Sequence, residues 1–142
     1  MSQKLIIKNI AIFLLILLWV YAATSKLSDF GHFKLQMSNQ PLPDIVKSLL
    51  IYLLPPLELL LAGMLILERF QYAGLVSSAI LMFLFTGYVG LALYNVFSYV
   101  PCSCGGILEH MTWQTHFWFN LFFLALSLIT TYITLKERSI PA

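Results

Sequence analysis

The sequence predicts an all-α membrane protein, a bundle of four transmembrane helices formed as a single domain over residues 1–142. Three observations carry that prediction. Four apolar runs each reach the ~20 residues that cross a hydrocarbon core. Of the 142 residues, 60% are hydrophobic and only 10% charged, against about 25% charged in soluble domains. Mean hydropathy is +0.87. No internal repeat, low-complexity stretch or segment of soluble-domain size remains outside the runs. The net charge of +2 is too small to point to nucleic acid, and the expected partner on most sides is the lipid bilayer.

The first span is placed at about 5–24, with Lys8 near its start. A lysine-flanked apolar start also fits a signal peptide, and Val20-Tyr21-Ala22 offers a possible cleavage site. Signal-peptide apolar regions run about 7–15 residues, however, and this one is longer. It is read as a retained anchor. Between it and the second span, Leu27, Phe30, Phe33 and Met37 recur at three- and four-residue spacing. That is the pattern of a short amphipathic helix at the interface. An ordinary loop with scattered apolar residues fits as well, and Gln40-Pro41-Leu42-Pro43 ends either one.

The second span, about 48–67, contains Pro55-Pro56 and then Glu58. Proline within a span kinks the helix and frees a carbonyl that neighbours must satisfy. The short charged stretch Glu68-Arg69-Phe70-Gln71 returns the chain at once, so the third span, about 72–97, packs antiparallel to the second. Gly74 with Ser78 forms a small-xxx-small pair, and Gly87 and Gly90 are further points of expected close approach. The fourth span is placed at about 116–135, with Trp113 and Trp118 at its interfacial start.

Orientation is read from the basic residues. Lys4, Lys8, Arg69, Lys136 and Arg138 fall on one side, and Lys26, Lys34 and Lys47 on the other. The positive-inside rule then puts both termini in the cytoplasm of a bacterium, with the chain in its inner membrane. The connection between the third and fourth spans would face the periplasm or exterior.

That connection carries the chemistry. Its segment Tyr-Val-Pro-Cys-Ser-Cys-Gly-Gly, at 99–106, holds both cysteines of the chain, Cys102 and Cys104. Pro101 stops the helix before them, and Gly105-Gly106 allow an irregular turn after them. Two cysteines so close form a disulfide only if the turn draws their Cα atoms within about 4.4–6.8 Å. A ring that small is strained, and strained exposed disulfides are the labile, oxidising kind. A two-residue loop also closes too little chain to stabilise much, and the periplasmic side is where disulfides persist. The pair therefore reads as a redox pair, exchanging by thiolate attack under the control of thiolate pKa and access. A permanently bridged structural pair is one alternative. A soft metal held by both thiolates with His110 or His116 is another. The repeated C-x-x-C spacing of a strong zinc site is absent, and no metal site is assigned.

Four residues are candidates for support. Glu58 lies about ten residues, or about 15 Å, into its span, and buried ionisable residues in spans usually face the bundle interior, where they pair or handle protons. It is read either as a proton relay or polar anchor, or as a glutamic acid satisfying carbonyls released by Pro55 and Pro56. Asn120 lies at comparable depth in the fourth span. Lys26 and the His110 imidazole could stabilise a thiolate, although a lysine at a span end often snorkels to headgroups instead. Trp113, Phe117 and Phe119 fit interface anchoring better than a quinone box.

These residues resemble the methylamine-utilisation MauE family, related to DoxX-like membrane proteins. The resemblance rests on Ser25-Lys26-Leu27, on Pro-Pro-Leu-Glu ending at Glu58, and on Pro-Cys-Ser-Cys-Gly ending at Gly105, and it covers nearly the whole chain. Gly105 stands where the family pattern Cys-x-Cys-Phe-Gly has an aromatic residue. The resemblance implies a redox-associated membrane protein that supports disulfide formation in a periplasmic client or works with a thioredoxin-like partner. The family's namesake is implicated in supplying disulfides to the small subunit of methylamine dehydrogenase. Four-helix proteins of the vitamin K epoxide reductase type offer an analogy for passing thiol electrons to a quinone. This chain lacks their C-x-x-C and second cysteine pair, so a quinone enters by analogy only. The other expectations are a non-catalytic membrane assembly factor or chaperone, and a metal-binding membrane protein. A transporter fits poorly, with one deep ionisable residue and four spans.

Overall fold

A computed structural model describes residues 3–40, 42–94 and 113–139. Five α-helices make up the described chain: α1 (Gln3–Ser28), α2 (Phe30–Ser38), α3 (Asp44–Ile66), α4 (Gln71–Leu93) and α5 (Trp113–Ser139), with a 3₁₀ turn at Glu68–Phe70. Helices α1, α3, α4 and α5 are long and apolar enough to cross a membrane, whereas α2, at 9 residues, is far too short. The four expected spans are present. The helices overrun the predicted limits at most ends, because helix geometry continues past the hydrocarbon into polar residues such as Lys26 and Lys136. The third span, predicted to 97, is helical to Leu93 among the described residues.

Each span buries one stripe. In α1 the buried residues are Ala11, Ile12, Leu15, Trp19, Ala23 and Lys26, an i, i+1, i+4, i+8, i+12, i+15 series that keeps one face inward. In α3 they are Ile51, Leu54, Pro55, Glu58, Leu61, Ala62 and Leu65. In α4 the stripe includes Leu75, Ser78, Met82, Thr86 and Val89, and in α5 Asn120, Leu124, Ser127, Thr130 and Thr134. The outer faces carry large apolar side chains such as Phe13, Leu53, Phe83 and Phe122, the composition that lipid contact requires. The chain is a multi-pass membrane protein.

Neighbours in the bundle are α1 with α3, α3 with α4, α4 with α5, and α5 back against α1, so the four spans form a closed square. Its centre is an apolar cluster of Ile12, Leu15, Trp19, Leu61, Ala62, Leu65, Leu75, Met82 and Leu124. Three polar contacts fix the register. The Trp19 indole N–H donates to Ser78 Oγ at 2.9 Å, joining α1 to α4. Lys8 pairs with Glu137 at 2.7 Å, joining α1 to α5. The Gln71 amide donates to the Leu65 carbonyl at 3.0 Å, satisfying one of the orphan acceptors at the end of α3.

The glycines sort into two kinds. A Cβ on Gly74 would come within 3.1 Å of Met64 Cβ, and one on Gly90 within 3.3 Å of the Phe117 ring. Gly74 thus sets the α3–α4 approach, and Gly90 the α4–α5 approach. Gly87 does not: nothing lies within 4 Å of its would-be Cβ, and it faces outward, where no partner helix stands.

Pro55 and Pro56 lie inside α3, which runs on through them. Each removes one intrahelical N–H and leaves a carbonyl four residues back without its usual donor. The segment between α1 and α3 is a helix rather than a loop. Asp29 caps α2 by accepting from the His32 N–H at 3.2 Å, as an N-cap carboxylate should. Phe33 and Met37 pack on Ile51 and Leu54. α2 therefore spends its apolar face on the bundle, closing one end of it, while Leu27 and Leu35 stay exposed.

Candidate functional site

The end of the bundle closed by α2 contains its most polar interior. Lys26 is 7% exposed and Glu58 0%. The Lys26 ammonium lies 3.0 Å from Glu58 Oε1 and donates to Oε2 at 3.3 Å. Oε1 is close but outside hydrogen-bonding angles, so it is held by charge alone. A further Lys26 bond reaches the Ala22 carbonyl at 3.3 Å, and the ammonium stands 5.9 Å from the centre of the Phe33 ring. One lysine thus ties α1 to both α2 and α3.

The meeting of these two side chains follows from helix geometry. Helical side chains tilt toward their own N-terminus. Lys26, two residues from the end of α1, therefore reaches back into the bundle. Glu58 lies eight residues, or about 12 Å, before the end of α3, and α3 runs the other way, so its carboxylate reaches up to meet the lysine. Lys26 does not snorkel to the surface. Nor does Glu58 serve mainly the carbonyls freed by the prolines: its partner is Lys26. Taking either charge out of water alone costs several kcal/mol, and mutual pairing is what makes burial of both tolerable.

A second polar group lies at the same end of the bundle. Gln36 and Gln40 are buried, the latter 1% exposed. The Tyr88 hydroxyl of α4 donates to Gln40 Oε1, and the Gln40 amide lies 3.5 Å from the Gln36 carbonyl. Lys47 of α3 donates to the Ser38 carbonyl at 2.9 Å. These bonds fasten the C-terminal end of α2 across the bundle. Phe33, Gln36, Met37 and Gln40 form one i, i+3, i+4, i+7 stripe, so the inward face of α2 includes polar residues as well as the apolar ones, and it extends to Gln40 in the stretch expected to end the helix.

Asn120 is buried in α5, as expected from its depth, but the hydrogen bonds of the ion pair go to each other and to Ala22, and Asn120 is not among them. His116, one turn earlier in α5, lies within electrostatic reach of Lys26. Phe117 packs on Gly90, while Trp118 is exposed, in keeping with packing and interface roles. Cys102, Cys104 and His110 lie outside the described residues. The helix ends that flank them, Leu93 of α4 and Trp113 of α5, belong to the end of the bundle closed by α2. Among the described residues no group of three or more His, Cys, Asp or Glu side chains is arranged to hold a metal.

Two of the three segments that carry the family resemblance, around Lys26 and around Glu58, are thus brought together as one buried contact. No curated protein and no solved structure matches the chain. The family model described as methylamine utilisation protein MauE matches residues 4–133. A match over that share of the chain, carried by a four-span bundle, establishes that this protein belongs to the MauE family.

Proposed function

We propose that this MauE-family protein is a thiol–disulfide redox protein that supports disulfide formation or maturation of a periplasmic partner in methylamine utilisation. The observation that carries the reading is the sequence Cys-Ser-Cys, with the only two cysteines of the chain, in the α4–α5 connection. A client thiolate attacks one sulfur of a Cys102–Cys104 disulfide, the S–S bond breaks, and a mixed disulfide forms. The client's second thiolate resolves it. The client leaves oxidised, and Cys102 and Cys104 retain two electrons and two protons as a dithiol. An acceptor outside this chain takes those electrons to complete the cycle.

In this proposal both termini are cytoplasmic, the protein sits in the bacterial inner membrane, and the cysteine connection faces the periplasm. Lys26 and Glu58 tie α1 to α3 at the end of the bundle from which that connection springs. Because Glu58 compensates its charge, Lys26 acts on a nearby thiolate as half of a pair rather than as a free cation. His110, six residues after Cys104, is the closer candidate for favouring a thiolate. Asn120 contributes to the polar interior.

The experiment is capture in single-cysteine variants. Cys102→Ser or Cys104→Ser is expected to accumulate a mixed disulfide with a periplasmic protein, visible as a reducible adduct. If neither captures a partner and both retain full methylamine-dependent growth, the exchange role fails. A double serine variant that still matures the client identifies a non-catalytic assembly factor instead.

A further inference from the structure

At the end of the bundle opposite α2, a cleft of about 480 Å³ opens between α1, the Glu68–Phe70 turn, α4 and α5. That volume lies in the ~300–1,000 Å³ range of ligand sites, but the lining is polar. Lys8, Glu68, Glu137 and Arg138 all contribute, with Asn9 and Gln71. Two of the charges satisfy each other, Lys8 with Glu137 at 2.7 Å. The other two do not. Arg138 stands 4.8 Å over the Tyr72 ring, which orients its guanidinium while leaving its N–H donors open. Among the described residues it has no carboxylate partner, and Glu68 has no cationic one. A spare cation and a spare carboxylate therefore border one cleft, at the ends of spans where lipid headgroups lie.

From this arrangement we propose that the cleft binds the headgroup of an aminophospholipid, with the phosphate on Arg138 and the primary ammonium on Glu68. A planar guanidinium suits a phosphate oxygen pair. A purely anionic headgroup is opposed by the spare Glu68 carboxylate; sites for such lipids are basic pockets. A quaternary ammonium cannot donate the hydrogen bond that Glu68 accepts. The occupant is thus a zwitterion with a primary amine, phosphatidylethanolamine among simple phospholipids. This proposal is independent of the cysteine chemistry.

Native mass spectrometry of the full chain in detergent tests it, with phosphatidylethanolamine, phosphatidylglycerol, phosphatidylcholine and soluble phosphoethanolamine added in turn. Phosphatidylethanolamine is expected to give the dominant retained adduct. Arg138→Gln and Glu68→Gln, both at exposed positions, should each lower that preference about three- to fivefold, the scale of one partly exposed ion pair. Lys34→Gln, at the other end of the bundle, should leave it unchanged. Equal or better retention of phosphatidylglycerol or phosphatidylcholine overturns the proposal. So does an unaltered preference in both cleft variants. An adduct with soluble phosphoethanolamine but none with the lipid would overturn the lipid as its source.

Discussion

Lys26 and Glu58 come from antiparallel helices and meet inside the bundle with their charged groups 3.0 Å apart. Because both are nearly sealed from solvent, neither can be removed without stranding the other. Replacing one partner of such a pair costs about 3–5 kcal/mol, whereas replacing both by apolar residues of similar volume is often neutral or stabilising. Lys26→Ala and Glu58→Ala are each expected to destabilise the protein by that amount. Lys26→Met with Glu58→Leu should recover most of the loss. Unfolding in mixed detergent measures all three, and a double variant no better than the worse single one would show that the pair is not a closed unit.

The Trp19–Ser78 hydrogen bond makes a smaller prediction. A buried neutral hydrogen bond contributes about 0.5–1.5 kcal/mol net. Ser78→Ala should cost that much, and Trp19→Phe more, because the indole also fills the core. In a double-mutant cycle the two should couple by about 1 kcal/mol; strict additivity would mean the contact contributes nothing.

Gly74 and Gly87 should respond in opposite directions. Gly74→Val places a branched side chain against Met64 and Leu65, and overpacking of this kind costs about 1–3 kcal/mol. Gly87→Ala enters open space and should gain up to about 1 kcal/mol from helix propensity. Thermal unfolding of the two variants distinguishes them by sign alone.

The end of α2 should loosen when its polar fastening is cut. Tyr88→Phe removes the hydroxyl that donates to Gln40 Oε1 and so cuts the tie from α4 to the end of α2. Hydrogen exchange in α2 is expected to speed up, while exchange in α1 and α5 near the Lys8–Glu137 pair stays as it was. Unchanged exchange in α2 would show that Phe33 and Met37 hold the helix without help.

Much of this was legible in the residues themselves. Four apolar runs gave four spans, and the charged stretch at Glu68 gave the tight return between α3 and α4. The core stripe of α3 has Glu58 on it at heptad spacing from Ile51 and Leu65, so its inward direction could be read directly. Lys26 was harder. It follows Trp19 and Ala23 at i+7 and i+3, which points it inward, yet a lysine at a span end equally suggests a headgroup contact, and only the opposing carboxylate decides between them. Gly87 misled because a glycine in a span signals close approach only when its face meets another helix. Periodicity within one helix says nothing about what stands opposite.

In the proposed function Cys102 and Cys104 form a redox-active pair open to the periplasm. Alkylation of intact cells with a membrane-impermeant maleimide tests it most directly, before and after mild reduction. Little labelling of the oxidised protein is expected, and two labels per chain after reduction, lost stepwise in Cys102→Ser and Cys104→Ser. Thiols that stay unlabelled from outside after reduction, yet react once the membrane is opened, would contradict it.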